Sequence, residues 1–536
     1  MAIPSSGTIF WCATGRAVLA CLLALVMAGC AALPSLDARK PIVPTGDTGN
    51  TTLGRAVARL ASAHPGHSGI YPLPDAGDSF AARIQLVDAA ERSIDVQSYI
   101  WRNDHSGSRL FQALLRAADR GVRVRILLDD NNTSSLDVVL ADLAACRNIE
   151  VRLFNPFTLR RARLLNYLTE FGRLNRRMHN KSFTVDNQAT IVGGRNIGDA
   201  YFDVTDSTTF ADMDVMAVGP VVNEVARSFA QYWTSDSAYP AESLLPPAVP
   251  GRLDETLVMA SDEGGDKLTS AEDVLAAHAY LDALRQLPIV KDLLRGSLSL
   301  EWAPVALVVD APAKGLGQAA ESEFLISRFR EMVGKPERSL HIISPYLVPT
   351  AGAVKNFTAL ARAGIKVRIL TNSLEATDVS IVHAAYAKWR LPLVAGGVEL
   401  FEMKRLAGMP QRPKHRLLRG SLPTSSGTSL HAKVMAIDDT RFFVGSYNLD
   451  RRSRDTNTEM GFLIDSPVLA KRLANAFLTA IPSTSYRVGL RESGGLQWTE
   501  QKDGVPGVVH DAEPGRSVWS GIGQDLLTVL PLDFLF

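Results

Sequence analysis

Cysteine is almost absent: four in 536 residues, with Cys12, Cys21 and Cys30 all inside the first thirty. Beyond that leader Cys146 stands alone, so the mature chain can form no intrachain disulfide. No Cys/His cluster has metal-ligand spacing, which removes a zinc-finger or ribbon reading. An excess of one charge is also missing. The 57 Lys and Arg against 56 Asp and Glu leave a net +1, so the molecule as a whole is no magnet for nucleic acid. Aromatic residues make up 7% and are not clustered as stacking platforms for bases. Long apolar runs are confined to one, "AVLACLLALVMAGC" after Arg16, shorter than the roughly 20 residues that a membrane span needs.

That run ends in small residues before Cys30. It reads as a secretory signal with a lipobox, giving lipid attachment and cleavage at Cys30; an uncleaved N-terminal anchor is the other reading. Either places the protein at the outer face of a cytoplasmic membrane or beyond, and the lipoprotein reading on the periplasmic side of a bacterial envelope. Residues 31–55, rich in Pro, Gly, Thr and Asp, read as a flexible tether.

What the chain does have is one sentence written twice. His179, Lys181 and Asp186 stand in "MHNKSFTVDNQATIVGGRN"; His431, Lys433 and Asp438 stand in "LHAKVMAIDDTRFFVGSYN". Both read H-x-K-x4-D, with Asn196 and Asn448 each 17 positions after the His, and Gly193 and Gly445 each 14 after it. One such match is compatible with a core His and a solvated Lys; two in register imply a duplicated half-site. The residue types suit phosphate chemistry. A neutral imidazole can attack phosphorus and form a phosphohistidine, and a protonated one can supply the leaving alkoxide with its proton. Lysines and Asn amides bind phosphate oxygens and stabilise charge in the transition state. With one His per half, the site is expected between the halves. Each motif reads as a hairpin of buried strands, with His and Lys leaving the same face. Asp186 and Asp438, at strand ends before a turn, read either as members of the catalytic set or as structural residues binding backbone amides.

These motifs resemble the paired HKD signature of the phospholipase D superfamily. Further stretches, "VRLFNPF" (151–157), "VGGRNIGDAYF" (192–202), "TNSLEATDVSIVHAAYAKWR" (371–390) and "NTEMGF" (457–462), are similar to bacterial cardiolipin synthases of the C type. The resemblance implies that one His is the nucleophile and the other the general acid-base. It implies that Asp212 and Glu459 each support the His of the opposite half; a surface or strand-end carboxylate is the competing reading. It implies no metal and no cofactor. It also implies a phosphatidyltransferase that makes cardiolipin from phosphatidylglycerol and a second phospholipid, phosphatidylethanolamine in the C type. A phospholipase D hydrolase giving phosphatidic acid is the near alternative, and an HKD-type nuclease the more distant one. Expected partners are phospholipid substrates and a membrane surface, with the need for an accessory protein left open and no nucleic acid, for a monomeric two-lobe enzyme.

The duplication reaches beyond the motifs. "ERSIDVQSYIW" (91–101) matches "ERSLHIISPYL" (337–347), and "RGVRVRILLDDN" (120–131) matches "AGIKVRILTNSL" (363–374). Strands alternating with helices predict an α/β fold of two pseudo-twofold-related lobes, each a mostly parallel mixed sheet covered by helices. The apolar stripe Leu110, Phe111, Leu114, Leu115 and Ala118 marks a core-facing helix. Expected boundaries are a signal peptide at 1–30, a tether and N-terminal segment at 31–75, the first lobe at 76–245, a helical linker at 246–320, the second lobe at 321–485 and a C-terminal extension at 486–536. Pro288 should split the linker helix in two. Basic residues precede each motif: Arg160, Arg161, Arg163, Arg173, Arg176 and Arg177, then Lys404, Arg405, Arg412, Lys414, Arg416 and Arg419. They read as attractors of anionic headgroups, as solvated loops, or as contacts for nucleic-acid phosphates. The apolar end from Leu526 to Phe536 reads as a membrane seat or as a strand closing a core sheet.

Overall fold

The computed structural model describes residues 33–37, 39, 46–204, 209–259, 271–407, 427–502 and 505–516. Cys30 and the apolar end at 526–536 lie outside them, as do Arg412, Lys414, Arg416 and Arg419. Among the described residues no helix is long and apolar enough to cross a membrane.

The two matched stretches build two large sheets. The first runs, in spatial order, Glu301–Ala303, Ser68–Leu73, Asp214–Val218, Ala189–Gly193, Ser182–Val185, Ser93–Ser98, Arg123–Asp129, Ile149–Phe154 and Ala238–Pro240. The second begins Val305–Val309, Met460–Ile464, Arg441–Gly445, Val434–Ile437, Ser339–Ile343, Lys366–Asn372 and Glu399–Met403, then adds three strands from Ser485 to His510. The two-lobe α/β architecture is as expected, but the parallel share is smaller. Parallel pairing within each sheet is confined to the three strands joined through helices. The motif hairpins and their flanking strands all pair antiparallel; a tight turn requires this within each hairpin, and each hairpin strand also runs opposite to its outer neighbour.

The periodicities explain the layers. Leu110, Phe111, Leu114 and Ala118 of the helix His105–Asp119 are buried on the first sheet, with Leu115 at the edge of that core. A separate core joins the lobes: Ile70, Val192, Val215 and Val225 from the first pack with Val434, Phe442, Phe462 and Leu469 from the second. Burying each such side chain is worth about 1.5–3 kcal/mol. The lobes are therefore fused across their inner faces rather than tethered.

Three boundary readings change. Residues 52–55 are helical, not tether: the Thr51 hydroxyl accepts from Gly54 N and starts the helix Thr52–Ala61, whose Leu53 and Val57 are buried. The strand Ser68–Leu73 then enters the first sheet. The 246–320 segment is not helical throughout. Pro288 does separate the helices Ala271–Arg285 and Ile289–Arg295, but Glu301–Ala303 and Val305–Val309 follow, one on the edge of each sheet. The extension after 485 also begins as a strand of the second sheet.

The motif aspartates are anchors at the far end of the motif strands. Asp186 accepts from the backbone N–H groups of Glu91, Arg92 and Ser93 at 3.0, 2.7 and 2.8 Å. Asp438 does the same for Glu337, Arg338 and Ser339. Each Asp thus grips the "ERS" turn of its own lobe, the stretch duplicated with it. Both sit at positive φ, 50° and 54°, a conformation that Asp tolerates better than most residues. Asp186 is fully buried, whereas Asp438 is half-buried. Asp186→Ala is therefore expected to cost about 3 kcal/mol of stability by leaving buried N–H groups unpaired, and Asp438→Ala about 1 kcal/mol. Chemical denaturation midpoints check this; equal losses at the two sites would refute the assigned difference.

Candidate active site

The two motif histidines are held crosswise. His179 and Lys181 lie in the extended stretch leading into the strand Ser182–Val185, and His431 and Lys433 in the stretch leading into Val434–Ile437. They precede the strands instead of belonging to them, because the backbone there pairs with the other lobe. His179 N donates to Thr458 O at 2.9 Å, and His431 N donates to Ala211 O at 2.8 Å. The next residue in each acceptor strand carries the carboxylate. Glu459 Oε2 lies 2.8 Å from His179 Nδ1, and Asp212 Oδ2 lies 2.5 Å from His431 Nδ1. Each half therefore supplies an imidazole to its own motif and a carboxylate to the other's. The second bridge is widened by a small sheet in which Thr209–Ala211 pairs parallel with Gly427–Leu430.

This geometry fixes the tautomers. An Nδ1–H donating to a carboxylate leaves the Nε2 lone pair free. Burial comes first in holding His179 well below its ordinary pKa, followed by the charges of Lys181, Lys433 and His431. Burial and then Lys433 also lower His431, while Asp212 pulls it up. Lys181 Nζ lies 2.7 Å from His179 O, and Lys433 Nζ 2.5 Å from His431 O. Desolvation lowers both lysines, Lys181 to about 7. Glu459 is raised by burial, against which Lys181 and hydrogen bonds from two serines act. Aromatic rings wall the imidazoles. Tyr99 is edge-on to His179 at 4.9 Å, and Tyr201 and Phe210 lie 5.3 and 5.2 Å from His431.

The asparagines are committed elsewhere to different degrees. Asn196 accepts from Ile100 N and donates to the Tyr201 hydroxyl at 2.8 Å, so it braces Tyr201. Asn448 is also buried, and its Oδ1 has no hydrogen-bond partner among the described residues.

Sequence reading missed the support of Glu459. Ser446 and Ser453 hydroxyls donate to its two oxygens at 2.5 and 2.7 Å. Asp310 accepts from Glu459 N at 2.8 Å, and Lys314 pairs with Asp310 at 3.0 Å. The signal lay in register: Ser446 and Gly194 both stand 15 positions after their His. A Cβ on Gly194 would fall 2.2 Å from Asp212 Oδ1. Glycine thus makes room for the Asp of one half, and serine bonds the Glu of the other. Tyr346 and Asp378, hydrogen-bonded at 2.8 Å, were also missed; Asp378 raises the His431 and Lys433 pKa values.

The basic stretch before the first motif is largely internal. Arg160 pairs with Asp130 and Asp137, Arg163 with Asp137, Arg173 with Glu170, and Arg177 with Asp129. Arg176 donates to the carbonyls of Lys314 and Asp455. Apart from Glu170, these partners sit elsewhere in the fold, so the charge run, exposed Arg161 aside, is a set of braces. Lys404 is likewise paired, with Glu500.

A family model described as "Cardiolipin synthase, PLD-like domain" matches residues 84–233 and 329–481, the two lobes with their motifs. The chain belongs to this family. Among its relatives, cardiolipin synthase C of Escherichia coli is 44% identical over 485 residues, covering 90% of this chain and 99% of that one. A Helicobacter pylori protein of uncharacterised function is 34% identical over 490 residues, covering 90% and 93%. The crystal structure of phosphatidylserine synthase from Haemophilus influenzae aligns with a TM-score of 0.49 at 14% identity, covering 82% and 93%.

A lysine held at about 7 is charged below that pH and neutral above it. Affinity for glycerophosphoglycerol, a phosphodiester whose own charge does not change near neutrality, should therefore fall as pH rises from 7 to 9, by at most about tenfold per unit. Lys181→Met should bind weakly with little of that pH dependence. Titration calorimetry between pH 6 and 9 checks this, and a flat wild-type profile would count against it.

Proposed function

We propose that the protein is a phosphatidyltransferase making cardiolipin from phosphatidylglycerol and a second phospholipid, phosphatidylethanolamine. The observation that carries the reading is the crossed pair of imidazole–carboxylate contacts, in a chain 44% identical to a cardiolipin synthase along nearly its whole length. Nε2 of one His attacks the donor phosphorus. The P–N bond forms, the bond to the ethanolamine oxygen breaks, and the other His, as imidazolium, gives that oxygen its proton. The same His, now neutral, takes the proton from a primary hydroxyl of phosphatidylglycerol. That oxygen then displaces the phosphohistidine nitrogen, regenerating both imidazoles. Lys181 and Lys433 stabilise the phosphoryl oxygens throughout. Both half-sites sit in one chain and complete each other, which supports action as a monomer.

Expression in a cardiolipin-free bacterium, with headgroup-labelled lipids read by mass spectrometry, tests the reading. Cardiolipin should appear with loss of label from phosphatidylethanolamine, and phosphatidic acid should stay minor. Dominant phosphatidic acid despite abundant phosphatidylglycerol would identify a hydrolase instead. His179→Ala and His431→Ala should each lower turnover by about 10³-fold or more without altering the fold by circular dichroism. A folded variant keeping several per cent of activity would end the shared-site mechanism.

The reading places the enzyme as a lipoprotein on the periplasmic side of a bacterial envelope, with residues 1–30 as signal peptide and Cys30 lipidated. What supports this is the "VMAGC" ending of the apolar run. Cys30→Ser should abolish incorporation of radiolabelled palmitate, and globomycin should accumulate a larger wild-type precursor. Wild-type protein without palmitate and unaffected by the drug would exclude lipidation.

A further inference from the structure

The helix Arg163–Leu174 is amphipathic in the opposite sense to a water-facing helix. Its apolar residues point out: Leu164 is 82% exposed, Leu168 70%, Leu165 48% and Phe171 45%. Leu164, Leu165 and Leu168 follow the i, i+1, i+4 rhythm of one helix face, and Phe171 follows a kink at Glu170, where the backbone leaves helical geometry. Other exposed large hydrophobic residues among the described part are dispersed along the chain, as is ordinary for a protein surface. The charged residues turn inward. Arg163 donates to Asp130 O at 2.7 Å and pairs with Asp137. Arg173 pairs with Glu170 and donates to Asn155 Oδ1 and Pro156 O at 2.6 and 2.8 Å. Asn166 is buried and bonded to the carbonyls of Leu159 and Arg163. From Ala162 to Gly172 every exposed side chain is uncharged. A helix evolved to meet water would present its arginines and hide its leucines.

Position adds the second argument. The helix runs through Asn175, Arg176 and Arg177 directly into His179. Its foot is bolted to the second lobe: Arg452 donates to Asn175 Oδ1 at 2.7 Å, and Arg176 donates to Asp455 O. Those contacts fall on the short helix Arg451–Asp455 that carries Ser453, the donor to Glu459. The foot of the segment is thus fixed to both halves of the catalytic pair. Arg161, exposed at the start of the segment, adds a cation beside it that suits lipid phosphates.

We infer that the helix Arg163–Leu174 seats the catalytic cleft on a phospholipid bilayer, with Leu164, Leu165, Leu168 and Phe171 entering the acyl region. This rests on the phospholipid reading of the site given above. An uncharged apolar face suits hydrocarbon, and a phosphodiester embedded in a bilayer reaches a buried His179 only if the cleft is brought to the headgroup plane.

The test uses the full chain reconstituted in vesicles of phosphatidylethanolamine and phosphatidylglycerol at 3:1, doped with a phospholipid carrying an acyl-chain diazirine. After irradiation, cross-links should map to the peptide spanning 163–174. The variant Leu164→Ser/Leu168→Ser/Phe171→Ser should lose those cross-links and at least tenfold of its turnover on vesicles. It should stay within twofold of wild type on dihexanoyl lipids of the same headgroups, supplied below their micelle concentration. Cross-links elsewhere but none in this peptide would overturn the inference. So would an equal loss on both substrates, which would make the helix a shaper of the cleft, or a change of oligomeric state in the variant, which would make the face a protein interface. If the wild type turned over no phospholipid in either form, the proposed function would fail, and the cross-link map would still decide whether the helix meets the bilayer.

Discussion

Each catalytic imidazole is held by a carboxylate from the other lobe, and the remaining features of the site follow from that constraint. A side-chain contact alone would be too loose, since Glu and Asp have rotamer freedom. Here the backbone fixes it: His179 N bonds the carbonyl of Thr458, immediately before Glu459, and His431 N bonds that of Ala211, immediately before Asp212. The distance from backbone to backbone is set first, and the side chains only close the remaining gap. The shared core of Ile70, Val215, Val434 and Phe462 then keeps the two lobes from sliding, since any slip would break both His–carboxylate contacts at once. Catalytic geometry and interlobe packing are one structural fact.

The electrostatics follow from placing those groups out of water. Two lysines and two histidines share a buried volume with two carboxylates, and desolvation lowers the pKa of all four nitrogen bases. Bringing a phosphodiester between the lysines restores the charge that burial penalises, so part of the binding free energy comes from stabilising the protonated lysines. For the histidines, lysine charge adds to burial in lowering the pKa, while Asp212 pulls His431 up. An Nδ1–H held on a carboxylate leaves Nε2 as the atom that attacks in one imidazole and carries the transferred proton in the other. Ser446, Ser453 and the Asp310–Lys314 pair keep Glu459 from moving in response.

Much of this was legible because duplication is a strong signal. His179, Lys181, His431 and Lys433 stood out as a matched set, and the matched "ERS" stretches turned out to be the docking turns for Asp186 and Asp438. Asp212 and Glu459 came from resemblance; nothing in local periodicity marks a carboxylate 280 positions away in the chain as a partner of His179. The Gly194/Ser446 difference was in plain register and was passed over, since a mismatch between repeats reads as drift until the Asp and Glu it accommodates are seen. The parallel share of the sheets was overestimated because alternation of strand and helix says nothing about the hairpin strands inserted beside them. The arginines before His179 looked like a basic surface because sequence shows charge without its partner; Asp130 and Asp137 lie at a separate turn. In the helix Arg163–Leu174 the pattern of apolar residues was present, but pattern alone reads as a core stripe, and only burial distinguishes a face turned inward from one turned out.

Transfer to a lipid alcohol, as opposed to hydrolysis, imposes a requirement that this architecture can meet. Phosphohistidine must outlast its exposure to water, which is present at far higher concentration than any lipid hydroxyl, so the acceptor has to win by position. The imidazoles are nearly inaccessible and ringed by Tyr99, Tyr201 and Phe210, which leaves little room for bulk solvent around the phosphorus. A cleft held against a bilayer by an apolar helix would be flanked by acyl chains on its open side, so that the groups nearest the intermediate would be other headgroups. The same two lobes released from a membrane would have water on that side. On the proposed seating, what closes the mouth of the cleft would decide between synthase and hydrolase more than which residues perform the chemistry inside it.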